Sequence, residues 1–119
     1  MQIDHEKLAA GVLKINLTGR MDATGSQEIE TRFTELTSQP GLAVVVDLSQ
    51  VQFLASIGIR TLLVYAKALK GHGGRMVLLK PDPGVARVLE VSGLDTLIGV
   101  FRNLDDACAA LSSRSTGNP

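Results

Sequence analysis

"GLAVVVDLSQVQFLASIGIRTLL", residues 41–63, changes its periodicity once, and that change decides the architecture. Leu42 to Leu48 is continuously apolar up to Asp47, as expected of a central strand covered on both faces. Farther on, Ile59, Leu62, Leu63, Ala66 and Leu69 recur at i, i+3, i+4, i+7 and i+10, which is one face of an α-helix. Between strand and helix lies Ala55-Ser56-Ile57-Gly58. A lone serine there admits two readings. As a helix N-cap, its hydroxyl accepts a backbone N–H two or three residues on and contributes about 1 kcal/mol. As a phosphate acceptor, it sits beside the unpaired N–H groups and partial positive charge of a helix N-terminus. That position is also the carboxyl end of a central strand, where open α/β sheets bind ligands.

Working outward, "VLKINLTG" (12–19) alternates, with Leu13, Ile15 and Leu17 on one side and Lys14 and Asn16 on the other. This is a half-buried strand. "MQIDHEKL" (1–8) is a weaker strand, joined to it by a turn at "AAG" (9–11). "DATGSQEIETRFTEL" (22–36) places Ile29, Phe33 and Leu36 at helical spacing, and Pro40-Gly41 ends the segment. "GHGG" (71–74) stops the second helix and "MVLL" (76–79) is a strand. Asp82 caps a third helix, Pro83 opens it, Val85, Val88 and Leu89 form its stripe, and Gly93 closes it. "LIGVF" (97–101) is a last strand. Asn103 caps a final helix whose inner face is Leu104, Ala107, Cys108 and Leu111.

The order β-β-α-β-α-β-α-β-α predicts an α/β fold: a mixed sheet of five strands with a parallel centre and four helices packed on it. Val44, Val46, Leu62, Leu63, Val77, Leu78 and Leu89 are the expected core. Residues 1–111 form one domain, and the polar stretch 112–119 is expected to be a flexible tail.

Twelve basic and twelve acidic residues among 119 give a formal net charge of zero, which supplies no general field for nucleic acid or an anionic membrane. Aromatics are 3% with no Trp, against base-stacking platforms. A single Cys108 excludes an intrachain disulfide. Residues 1–20 carry no secretory pattern, and no apolar run approaches the ~20 residues that span a bilayer. A cytoplasmic domain without membrane insertion is expected, and the Asn16 sequon is set aside. There is no P-loop, and "GHGGRM" lies between helix and strand, the reverse of a dinucleotide-binding turn. His5, His72 and Cys108 lack metal-ligand spacing. "LASIG" lacks the first glycine of a nucleophile elbow. The expectation is a non-enzymatic protein with no catalytic residue, metal or cofactor.

The blocks "INLTGRMDA", "VVVDLSQVQFLASIGIRTLL", "GGRMVLL" and "VLEVSGL" together resemble the STAS domain, in the single-domain form of bacterial anti-sigma factor antagonists. The resemblance spans roughly residues 10–111. In that family the helix after the central strand usually begins Asp-Ser-Ser-Gly or Asp-Ser-Thr-Gly, and the serine after the Asp is phosphorylated by a partner kinase. Ser56 occupies that position and Gly58 is kept, whereas Ala55 replaces the Asp and Ile57 the second hydroxyl. Asp22 matches the acidic residue of the neighbouring loop. The resemblance implies partner-switching: the protein binds an anti-sigma factor, a serine kinase of the histidine-kinase-like ATPase type, frees a sigma factor, and is released by phosphorylation at Ser56. The implied partner surface comprises Asp22, Thr24, Ala55, Ser56, Ile57, Gly58 and Arg60. Arg60 is left with three options: solvent, Asp22 or a phosphate. The alternative function is an accessory or scaffold subunit of a signalling complex or of a lipid-transport ATPase, suited by the greasier Ala-Ser-Ile-Gly junction.

Overall fold

The computed structural model describes residues 1–113. Strands β1 (Gln2–Lys7) and β2 (Val12–Met21) form an antiparallel pair, joined by a single 3-10 turn at Ala9–Gly11. Helix α1 (Ala23–Leu36), strand β3 (Ala43–Leu54), helix α2 (Ser56–Gly71), strand β4 (Arg75–Leu79), helix α3 (Pro83–Ser92), strand β5 (Val100–Phe101) and helix α4 (Leu104–Ser113) follow. The sheet order is β1-β2-β3-β4-β5, with every pair after the first parallel. Each parallel crossover therefore steps one strand in the same direction. Crossovers of one hand then place α1, α2 and α3 on the same face.

The two faces have separate apolar clusters. Leu13, Ile15 and Leu17 of β2, Val44 and Val46 of β3, and Met76 and Leu78 of β4 pack with Ile29, Phe33, Leu62, Leu69, Val85 and Leu89 from the first three helices. Val12, Val45, Val77 and Leu79 pack with Ala107 and Leu111 of α4. β3 is thus covered on both sides by consecutive valines, as its continuous apolar run requires. All the expected core residues are buried except Leu63, which is partly buried against the larger cluster. Asp82 and Asn103 cap α3 and α4, accepting from the Val85 and Asp106 N–H groups at 2.8 Å each. Gly93 closes α3 at φ 79°.

Three expectations need correction. β3 does not end at Leu48; it continues to Leu54, because two register shifts against β2 absorb extra β3 residues. The Asp47 carboxylate accepts the Ser49 N–H at 2.8 Å within the first shift, satisfying a donor that the ladder leaves out. The last strand is Val100–Phe101, not 97–101, since a 3-10 turn at Leu94–Thr96 occupies the chain before it. Helix α4 extends through Ser113, two residues into the expected tail; residues 114–119 of that tail lie outside the described residues.

Candidate functional site

The site forms where β2 and β3 end and α1 and α2 begin. Two neighbouring carbonyls at the end of β2 hold it together. The Met21 carbonyl accepts the Ala55 N–H at 3.1 Å, tying the end of β3 to β2. A Cβ at Gly58 would lie 2.5 Å from that carbonyl and 2.9 Å from Met21 Cγ. A Cβ at Gly25, in the first turn of α1, would lie 1.9 Å from the Arg20 carbonyl. Both helices therefore rest glycine-first on β2, and close backbone approach is why each position is glycine. Gly58→Ala is expected to destabilise by about 1–3 kcal/mol, because a backbone carbonyl must yield, and this exceeds the gain in helix propensity. Thermal unfolding checks it; a melting temperature at or above wild type contradicts the packing.

The N-cap reading of Ser56 is overturned. Ala55 is the N-cap of α2, in extended conformation and with no side-chain cap bond, and Ser56 is the first helical residue. β3 ends at Leu54 and α2 begins at Ser56, so Ala55 is the single residue between them. Its exposed side chain has no part in capping. Ile57, next along, is 38% exposed, so apolar surface adjoins the hydroxyl, while Phe53, at the end of β3 and 40% exposed, lies under Arg20.

Asp22 is committed locally. It caps α1, its carboxylate accepting the Gly25 N–H at 2.8 Å, and it lies 3.6 Å from Arg20 Nε. The Gly25 hydrogen bond, aided by the Arg20 charge, holds the carboxyl below its ordinary range against the opposing effect of desolvation. Arg20 in turn lies over the Phe53 ring, 4.3 Å from its centroid. Arg60, exposed in the first turn of α2, makes no ion pair among the described residues, so it does not pair with Asp22. Ala23 of α1 and Ile57 and Arg60 of α2 line one groove. Thr24 is exposed on the first turn of α1. The structure thus brings the β2–α1 corner against Ala55, Ile57 and Gly58, but does not join Asp22 to Arg60.

Sequence reasoning missed Arg20 and Phe53. Phe53 falls beyond the expected strand end at Leu48, and only a strand reaching Leu54 pairs it with Arg20. The alternation after the shift, Val51 buried and Gln52 exposed, was the available signal.

No helix among the described residues is long and apolar enough to cross a membrane. Comparison with known proteins places the chain further. Residues 7–107 match the STAS domain. The chain is 27% identical over 112 residues to the anti-sigma F factor antagonist of Paenibacillus polymyxa, covering 93% of each. It is 28% identical over 103 residues to BtrV of Bordetella bronchiseptica, named as a proposed anti-sigma factor antagonist, covering 87% of this chain and 89% of BtrV. Among solved structures, an anti-sigma factor antagonist from Mycobacterium paratuberculosis superposes with a TM-score of 0.83 at 26% identity over 93% of both chains. With the domain match running through every strand from β2 onward, this chain belongs to the STAS domain family.

Proposed function

We propose that the protein is an anti-sigma factor antagonist: it binds an anti-sigma factor that is a serine kinase, frees a sigma factor, and is released by phosphorylation at Ser56. The observation that carries this reading is the Ser56 hydroxyl itself, exposed in the first turn of α2, taking no part in capping the helix and next to exposed Ile57. The names of the related proteins support it.

Phosphorylation adds roughly −1.5 to −2 charges at neutral pH. The helix N-terminus tolerates that charge, since its N–H groups and dipole favour anions. A partner resting on Ile57 does not, because it must desolvate the phosphate, and Arg60, four residues on along α2, is then drawn to the phosphate and away from the partner. Asp22 positions the surface through its α1 cap, and Gly58 lets α2 approach close enough to form it. Ile57 supplies apolar contact and Arg60 an exposed cation.

Incubation with the cognate kinase and ATP should add one phosphate to the wild-type chain and none to Ser56→Ala, read by intact mass. An unmodified wild-type mass beside a demonstrably active kinase would remove the switch. Continued binding under those conditions would favour a fixed interface, as in an accessory subunit of a scaffold or transport ATPase, for which exposed Ile57 is equally suited.

A further inference from the structure

The seam between α1 and α2 opens into a groove of about 450 Å³ that starts at Ile57, one residue past Ser56, and follows α2 to Val64. Those two residues are seven apart, hence on the same side of the helix and about 10 Å apart along its axis. Val64 is 55% exposed. Ala23 and Gln27 of α1 form the facing wall, and the lining includes opposite charges, Arg60 on α2 and Glu30 on α1.

Ser26 and Tyr65 also line the groove. They are 5% and 9% exposed, and neither hydroxyl has a hydrogen-bond partner among the described residues. A buried hydroxyl left unpaired is costly, and native structures rarely tolerate it without a use. Tyr65 stacks on Phe33 at 3.9 Å and 7°, which fixes the ring. Burial first, and the Glu30 carboxylate second, push its phenol up to about 12, so it remains a neutral donor at ordinary pH.

The surface around Ser56 is small for a protein partner. A stable interface covers roughly 800 Å² on each side, so contact at Ser56 and Ile57 must continue over adjoining surface. The groove adjoins it, shares Ile57 and Arg60 with it, and combines apolar walls with unpaired donors.

We propose that the α1–α2 groove is the second half of the anti-sigma factor's docking surface and receives one amphipathic helix of that partner. An apolar side chain of the helix sits between Ile57 and Val64. A carboxylate meets Arg60, a cation meets Glu30, and a hydrogen-bond acceptor takes the Tyr65 hydroxyl as the seam yields. The inference rests on the anti-sigma factor reading. It adds that part of the affinity resides on a surface that the Ser56 phosphate does not touch.

The test uses the anti-sigma factor that the full chain recovers from its own organism, purified and titrated calorimetrically against variants. Val64→Lys changes an exposed helical position and Tyr65→Phe keeps the stacked ring, so both should fold. Each should weaken binding by about tenfold or more. Tyr65→Phe should melt at or above wild type, since it deletes an unpartnered hydroxyl; a hydroxyl that merely held the fold would lower the melting temperature instead. Affinities of Val64→Lys and Tyr65→Phe within twofold of wild type, together with loss of binding in Ile57→Asp, would overturn the groove while leaving the Ser56 surface standing. A wild-type chain that binds no anti-sigma factor would overturn both.

Discussion

Ser56→Asp is expected to lose affinity for the anti-sigma factor by about tenfold or more, at least ~1.4 kcal/mol, while melting at or above the wild-type temperature. The two effects have opposite signs for one reason. At the first position of α2, a carboxylate meets the partial positive charge of the helix end, which contributes about 0.3–1 kcal/mol to the folded state. The same charge stands beside exposed Ile57, where a docked partner must exclude water. Asp carries only part of the charge of a phosphate, so its effect is a lower bound for the modification. Ser56→Ala completes the comparison. Ala55, not Ser56, caps the helix and uses no side chain to do so. Ser56→Ala should therefore bind as wild type does and change stability by less than about 0.5 kcal/mol. Denaturant unfolding and calorimetric titration of the three chains check both halves. A loss near 1 kcal/mol in Ser56→Ala would return the serine to a capping role; undiminished binding by Ser56→Asp would remove it from the interface.

Phe33→Ala should cost about 3–5 kcal/mol, a large share of the ~5–15 kcal/mol that holds a native domain together. Phe33 is fully buried in the larger core and stacks on Tyr65, so it joins α1 to α2 as well as filling space. Its removal leaves a cavity directly behind the seam that positions Ile57 and Arg60. Partner affinity should fall with stability in this variant, whereas Ser56→Asp separates the two. Urea unfolding gives the stability; a loss below about 1 kcal/mol would mean the seam closes over the cavity and carries little of the core.

Much of the architecture was legible because periodicity reports burial directly. The valines of β3 lie between two helical layers, and their continuous run says so. Asp82, Gly93 and Asn103 mark helix ends by local chemistry that needs no tertiary context. The end of β3 was not legible in the same way. Ser49, Gln50 and Gln52 look like a strand exit, yet the register shifts against β2 let these exposed residues remain in the sheet while Val51 and Leu54 return to the core. The helix begins one residue earlier than the serine suggests, because Ala55 caps it through its backbone alone, and the sequence carries no side-chain signal for such a cap.

The site was legible as a set of residues, but its internal pairing was not. Asp22 and Arg60 invite an ion pair on paper. The folded chain instead gives Asp22 to the Gly25 N–H and Arg20, and lays Arg20 over Phe53. Those choices depend on which strand neighbours β2 and in what register. The unpaired hydroxyls of Ser26 and Tyr65 carry no sequence signal at all, since each residue fits its helix and becomes conspicuous only when the two helices meet.

The most direct test is to install phosphoserine at position 56 during synthesis and titrate that chain and the unmodified one against the purified anti-sigma factor. The unmodified chain should bind with a micromolar or tighter constant, and the phosphorylated chain about a hundredfold more weakly, ~2.7 kcal/mol, with its fold unchanged by circular dichroism. Equal affinities of the two chains would contradict a phosphorylation switch at Ser56.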